Sequence, residues 1–252
     1  MNELDLIFDL HLRNDRQGPG SAAETNRAID LARLDSKSPL AIADIGCGTG
    51  ASSVVLATTL HAHVSAVDFS ASFIERLRAE VASRGMQDHI EPIVGNMEAL
   101  PYGDAQFDVI WSEGAIYNMG FAAGLRAWRR FIRPGGIIAV SEITWTTAHR
   151  PTAIEEHWTR EYPSITTAST NLQRIEEEGY EPIGMFFLPR DCWEAAYYEP
   201  ISAGIPAFLE RHDNSDAARS IVAAEQAEMA LYQEYGAWFG YAFYIARKIN
   251  DA

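Results

Sequence analysis

The chain has 252 residues, 47% of them hydrophobic, enough for one large domain with a packed core, or one domain with a helical cap. Its 20 Lys and Arg against 35 Asp and Glu give a formal net charge of −15, a field that repels polyanions and disfavours nucleic acid as a partner. No apolar run approaches the ~18 residues of a membrane helix, Cys47 and Cys192 are too few for a disulfide framework, and the acidic start lacks the basic leader of a signal peptide, so a cytoplasmic protein acting on a small molecule is expected.

Residues 1–37 read as an N-terminal helical cap, with Gln17-Gly18-Pro19-Gly20-Ser21 as the turn between two helices. Strand-like runs then recur at 40–45, 63–68, 90–94, 107–111, 136–142, 182–188 and 238–247. Amphipathic stretches at 51–60, 70–84, 121–132 and 169–179 separate them. This alternation predicts an α/β domain, a parallel sheet with helices on both faces. Ser70 is placed to cap the helix after the second strand. Arg133-Pro134-Gly135-Gly136 is expected to stop a helix and turn the chain into the fifth strand. Residues 143–168 and 189–236 exceed the bare alternating plan and are expected to form lid or acceptor-side insertions. In the second insertion Pro200 and Pro206 are expected to break a helix spanning Asp191 to Arg211, with another helix from Ser215 to Tyr235. On this plan 38–142 is the binding core and 237–252 the final strand segment.

The most informative stretch is Ala43-Asp44-Ile45-Gly46-Cys47-Gly48-Thr49-Gly50. It falls between a strand and a helix, where glycines permit positive φ and a close backbone approach, and where a helix N-terminus offers free N–H groups. Gly46-x-Gly48-x-x-Ala51 satisfies the loose dinucleotide fingerprint and would suit NAD or FAD. Gly46-x-Gly48-x-Gly50 preceded by Asp44 is the other parse. The glycine turn by itself leaves both cofactors open.

Further stations lie downstream. Asp68 ends the second strand, where a carboxylate can accept two ribose hydroxyls, and Phe69 follows it. Gly95-Asn96-Met97-Glu98-Ala99-Leu100-Pro101-Tyr102 precedes Phe107-Asp108-Val109-Ile110-Trp111-Ser112-Glu113. With the glycine turn and Arg-Pro-Gly-Gly, this succession resembles the class I S-adenosylmethionine (SAM) methyltransferases. The resemblance is carried by motifs over about 38–142 and by layout over 169–248. It implies a Rossmann-like sheet of seven mostly parallel strands, the last antiparallel and inserted between its neighbours.

The resemblance also implies that Asp44, Gly46, Gly48, Gly50, Asp68, Phe69, Asn96, Met97, Ser112 and Glu113 frame SAM and its product S-adenosylhomocysteine. A narrower similarity, in Arg16 to Ser21, Glu113 to Asn118 and the Trp158…Tyr162-Pro163 pair, is to a bacterial subgroup of small-molecule methyltransferases. There the N-terminal turn closes over the cofactor, which adds Gln17, Ser21 and Thr25 to the cofactor set.

Methyl transfer from a sulfonium needs alignment above all, and a base only where the nucleophile must lose a proton. The seven histidines show no metal-ligand spacing, and no metal is expected. Glu113, after the fourth strand, is the leading residue for acceptor-side chemistry, with Tyr117 and His149 beside it and Glu142 a weaker choice. Tyr117, Trp145, His149, Trp158 and Tyr162 are expected to line the acceptor pocket. Aromatic faces near carboxylates favour a cation, so an amine is one expected acceptor. The reading is a methyltransferase (EC 2.1.1.-) acting on a small molecule. A SAM-binding protein without transferase activity and a protein methyltransferase are the alternatives. Oligomeric state is left open.

Overall fold

The computed structural model describes residues 2–35 and 38–250. Met1, Ser36, Lys37, Asp251 and Ala252, which fall within the expected cap and final segment, lie outside the described residues.

Two helices come first, α1 (Glu3–His11) and α2 (Ala22–Ala32). Asn2 and Asp5 form a reciprocal capping box at the start of α1, and the Ser21 hydroxyl caps α2 through the Glu24 N–H. The core follows as β1 (Ala41–Ile45), α3 (Ala51–Leu60), β2 (His63–Asp68), α4 (Ala71–Arg84), β3 (Ile90–Val94), β4 (Phe107–Ser112) and α5 (Phe121–Trp128). Ser70 caps α4 as expected, accepting from the Phe73 N–H. Then come β5 (Ile132–Trp145), α6 (Thr152–Glu161), β6 (Thr166–Thr167), α7 (Ala168–Glu177), β7 (Tyr180–Phe187), α8 (Glu199–Arg211), α9 (Asp216–Tyr235) and β8 (Phe239–Lys248).

The strands form one sheet in the order β3-β2-β1-β4-β5-β8-β7, with the short β6 paired to β5. β1 to β5 run parallel; β8 lies antiparallel between β5 and β7. The Rossmann-like layout with an inserted antiparallel last strand is as expected, with one small strand more. The alternation of the pleat divides the core into two layers. Ile42, Val109, Ala139 and Ile245 face α2, α3 and α4, whereas Ala43, Ile110, Ile138 and Tyr244 face α5 and α7.

The boundary at 133–136 differs from expectation. Ile132 already pairs with Phe107, so Arg133 to Gly136 form a bulge inside β5 instead of a turn before it. Gly136 sits where a Cβ would lie 2.7 Å from the Asp108 carbonyl oxygen, which explains why no side chain stands there. The prolines also act differently. Pro200 occupies the first turn of α8, where its missing N–H costs nothing, and Pro206 lies within that helix without ending it. A short π-helical turn at Glu194–Tyr198 feeds α8.

A third apolar cluster sits over the carboxyl end of β5. Leu6 and Leu10 of α1, Ile154 of α6, Phe208 of α8 and Ile221 of α9 meet Ile143 and Trp145 there. Trp193 anchors it, stacked between Tyr232 (4.4 Å between ring centroids) and Tyr241 (5.3 Å). The N-terminal cap and the late helices thus form one roof.

Candidate functional site

The chain winds outward from β1 through β2 to β3, then crosses to β4 on the other side of β1. Open α/β sheets bind ligands at such a reversal, beyond the carboxyl ends of the strands. A cleft of about 650 Å³ lies there, bordered by Gly46, Cys47 and Gly48 after β1, Asp68 and Phe69 after β2, and Glu113 after β4. Gln17, Asn96, Met97 and Tyr117 also border it.

The glycine turn is crowded by protein. A Cβ on Gly48 (φ +56°) would lie 2.3 Å from Gln17 Oε1, and one on Gly50 (φ +88°) 2.2 Å from a Leu77 methyl. Gly50 serves as the left-handed N-cap residue of α3 and does not border the cleft. Gln17 fastens the N-terminal turn onto this loop. Its Oε1 accepts from the Thr49 N–H (2.8 Å), and its Nε2 donates to the carbonyls of Asn14 (3.0 Å) and His11 (3.3 Å).

Asp44 lies beneath the turn, fully buried, and does not border the cleft. Its Oδ2 accepts from Ser52 (2.7 Å) and Ser53 (2.6 Å), while Oδ1 has no partner among the described residues. Burial pushes its carboxyl up to about 7, against the two serine hydroxyls. Ser112 is buried likewise, with an unpartnered hydroxyl, and stands outside the lining.

Asp68 does border the cleft. Its carboxylate accepts from the Gly48 N–H and the Ser70 N–H, both at 2.8 Å, and burial raises its pKa. An ionised carboxylate offers about four acceptor sites, so lone pairs remain for a further donor. Phe69 beside it is 65% exposed, a large ring with an open face. Asn96 Oδ1 accepts from the Glu98 N–H (2.9 Å), and Trp128 Nε1 donates to the Met97 carbonyl (3.1 Å), which fixes the loop between β3 and β4. A carboxylate with lone pairs to spare, an exposed aromatic face and a rigid Asn-Met loop suit a ribose with a heteroaromatic base, so the residues present fit SAM.

Glu113 joins the cap to the sheet. Oε2 accepts from Arg16 Nη1 at 2.6 Å; Oε1 accepts from the Thr25 hydroxyl (2.8 Å) and Trp111 Nε1 (2.9 Å). Thr25 is buried beneath it, and Ser21 acts as the N-cap of α2; neither borders the cleft.

Of the residues expected to line an acceptor pocket, the structure brings only Tyr117 to the cleft. His149 is corrected: it lies exposed in the turn after β5, away from the lining, because β5 runs on to Trp145 and Arg150 then folds back over that indole at 4.2 Å. Trp145 is buried under Arg150, and Trp158 packs on Phe239 at 5.2 Å. Tyr162 meets Tyr117 edge-on at 6.1 Å without bordering the cleft. Glu142 is 1% exposed, its carboxyl pushed up to about 8 by burial. Residues absent from the sequence expectations also border the cleft, among them His11, Tyr197 and Glu225. His11 and Glu225 stand 214 positions apart, so no local spacing pairs them.

Among the described residues, no group of three His, Cys, Asp or Glu side chains could hold a metal ion, and no helix is long and apolar enough to cross a membrane.

Comparison with known proteins agrees with this geometry. Residues 42–136 match the family described as a methyltransferase domain. The chain is 33% identical over 112 residues to methyltransferase GfsG of Streptomyces halstedii, covering 44% of this chain and 40% of that one. It is 32% identical over 131 residues to the malonyl-[acyl-carrier protein] O-methyltransferase of Dechloromonas aromatica, covering 51% and 47%. The matched segments thus span about half the length of these curated relatives or less. A SAM-dependent methyltransferase of Geobacter sulfurreducens, solved with S-adenosylhomocysteine, superposes with a TM-score of 0.82 over 96% of this chain and 97% of that one, at 18% identity. Residues 42–136 are thus similar to a methyltransferase domain, and the whole chain shares the fold of that SAM-dependent methyltransferase structure.

Proposed function

We propose that this protein transfers the methyl group of SAM to a small-molecule acceptor. The observation that carries the reading is the cleft at the sheet's switch point, where Asp68 and the exposed Phe69 stand beside the glycine turn. Asp68 would hold the ribose, Phe69 with Asn96 and Met97 the base, and the Gly46–Gly48 turn the amino-acid end. When bound, SAM supplies an electrophilic methyl group on a sulfonium. The protein then has to exclude water, align a nucleophile and, for some acceptors, accept a proton.

Leu4, Ile7 and Phe8 of α1 and Glu225 of α9 border the cleft, whose volume is in the ordinary range for small-molecule sites, and this supports a small acceptor. Pairing of Glu113 with Arg16 takes up one of the carboxylates that, with aromatic faces, made an amine an expected acceptor, and makes Glu113 a residue that seats the cap. A charge of −15 disfavours nucleic acid. The two cysteines, both free and buried, suit a reducing compartment, and we place the protein in the cytoplasm.

The test is calorimetry with S-adenosylhomocysteine, followed by methyl transfer from labelled SAM into a fractionated metabolite extract, with Asp68→Ala as control. Label in one small-molecule fraction, lost in the control, supports the reading. Tight binding with label only in protein would support a protein methyltransferase, and binding with no label at all a non-catalytic SAM-binding protein.

A further inference from the structure

We propose that His11 and Glu225 form the general-base pair of this site, with His11 Nδ1 taking the proton from a hydroxyl-bearing acceptor. The inference rests on the methyltransferase reading above. His11 ends α1 and Glu225 lies on α9; both border the cleft. His11 Nε2 lies 3.0 Å from Glu225 Oε1, with the two side chains 7% and 13% exposed. An ionised carboxylate can only accept, so Nε2 carries the hydrogen, and in the neutral ring Nδ1 keeps a bare lone pair. Nδ1 is buried and has no partner among the described residues, and the same holds for Glu225 Oε2. Two partnerless polar atoms in a buried pair beside a cleft are unusual enough to require an explanation, and an incoming hydroxyl supplies one.

The ring is held on several sides. Tyr197 stacks on it at 5.9 Å with an interplanar angle of 17°. The His11 carbonyl accepts from Gln17 Nε2, the same side chain that receives the Thr49 N–H of the glycine loop. Gln17 therefore ties the position of the imidazole to the turn expected to hold the methyl donor. Orientation by Glu225 follows the general logic of a histidine base steadied by a carboxylate.

The surroundings favour a neutral acceptor. Leu4, Ile7 and Phe8 of α1 border the cleft beside His11. Glu113 already receives Arg16, and one oxygen of Glu225 already receives His11. As the acceptor oxygen bonds to the methyl carbon, the carbon–sulfur bond breaks and its electron pair passes to sulfur. The O–H proton passes to Nδ1, and Glu225 stabilises the imidazolium before the proton is released to solvent.

The test uses His11→Gln and Glu225→Gln in the full chain, both able to keep a hydrogen bond between α1 and α9. The probes are labelled SAM with a panel of phenols, aliphatic alcohols, carboxylic acids and amines, together with S-adenosylhomocysteine calorimetry and thermal melts. Label is expected on hydroxyl compounds. His11→Gln should lower kcat about 100-fold or more, with S-adenosylhomocysteine affinity and melting unchanged. Glu225→Gln should lower kcat without changing KM for SAM. Turnover by His11→Gln equal to wild type, label on carboxylic acids or amines alone, or no label despite tight S-adenosylhomocysteine binding would each overturn the base pair while leaving the cofactor reading intact. Absence of S-adenosylhomocysteine binding would remove the reading on which it rests.

Discussion

Arg16 Nη1 lies 2.6 Å from Glu113 Oε2, so the carboxylate at the end of β4 fastens the N-terminal turn across the cleft. Thr25 and Trp111 converge on the other oxygen, and Arg16 also donates to the Thr25 hydroxyl. The cap is therefore held to the sheet by a nearly buried ionic network in addition to apolar contact. Removing one partner strands the other in a poorly solvated place. Arg16→Ala is expected to cost about 3 kcal/mol of stability and to weaken S-adenosylhomocysteine binding. Denaturant melts and hydrogen exchange over residues 2–35 would check it. The double variant Arg16→Ala/Glu113→Gln should cost less than the sum of the single changes; strict additivity would mean that the pair is not coupled.

A second contact seats the cap on the glycine turn. Gly48 has φ +56°, and a Cβ there would lie 2.3 Å from Gln17 Oε1. Moving that oxygen away frees the Thr49 N–H it now accepts from. Gly48→Ala should therefore destabilise by about 1–3 kcal/mol and also loosen the cofactor site. Gly18, in the same turn, has nothing within 4 Å of a built Cβ and an ordinary φ, so Gly18→Ala is the matched control. Equal melting temperatures for the two variants would contradict the account.

How much of this was legible in the sequence depends on range. The elements between β1 and β5 were readable because hydrophobic alternation, glycine turns and an N-cap such as Ser70 are local signals. Arg133 to Gly136 misled because Pro-Gly-Gly reads as a turn, whereas the register with β4 absorbs it as a bulge. Trp145 and Trp158 were expected in a pocket, yet an indole serves a core equally well: Trp145 is buried in the roof's apolar cluster, and Trp158, on α6, packs against it. His11 and Glu225 were not legible: α1 and α9 lie at opposite ends of the chain, and only their packing creates the pair.

Asp68 gives a cleaner handle on the cofactor than Glu113 does, since it borders the cleft and does not join the cap. Asp68→Ala removes the acceptor of the Gly48 and Ser70 N–H groups as well as the lone pairs left for a ribose. Asp68→Asn keeps one acceptor oxygen. We expect S-adenosylhomocysteine affinity to fall by about 100-fold in the alanine variant, or roughly 3 kcal/mol at 1.4 kcal/mol per tenfold, and by less in the asparagine variant. Calorimetry decides, and unchanged affinity in Asp68→Ala would remove Asp68 from the cofactor site.

Glu142 ends in a buried position where desolvation pushes its carboxyl from 4.5 up to about 8, outweighing Tyr162 and Arg174, which act the other way. A folded-state pKa above the unfolded value means that the folded protein holds the proton more tightly. Its contribution to stability is complete below about pH 4.5 and is lost as pH rises through about 8. Glu142→Gln keeps the shape of the neutral acid and cannot ionise. Its advantage over wild type should therefore grow with pH, reaching on the order of a few kcal/mol by alkaline pH. Asp44 follows the same sign with a value of about 7, but both proteins carry it, so their difference over the interval from pH 7 to 8.5 isolates Glu142. Thermal melts of both proteins across that interval provide the check, and a gap that stays constant with pH would show that Glu142 is ionised throughout.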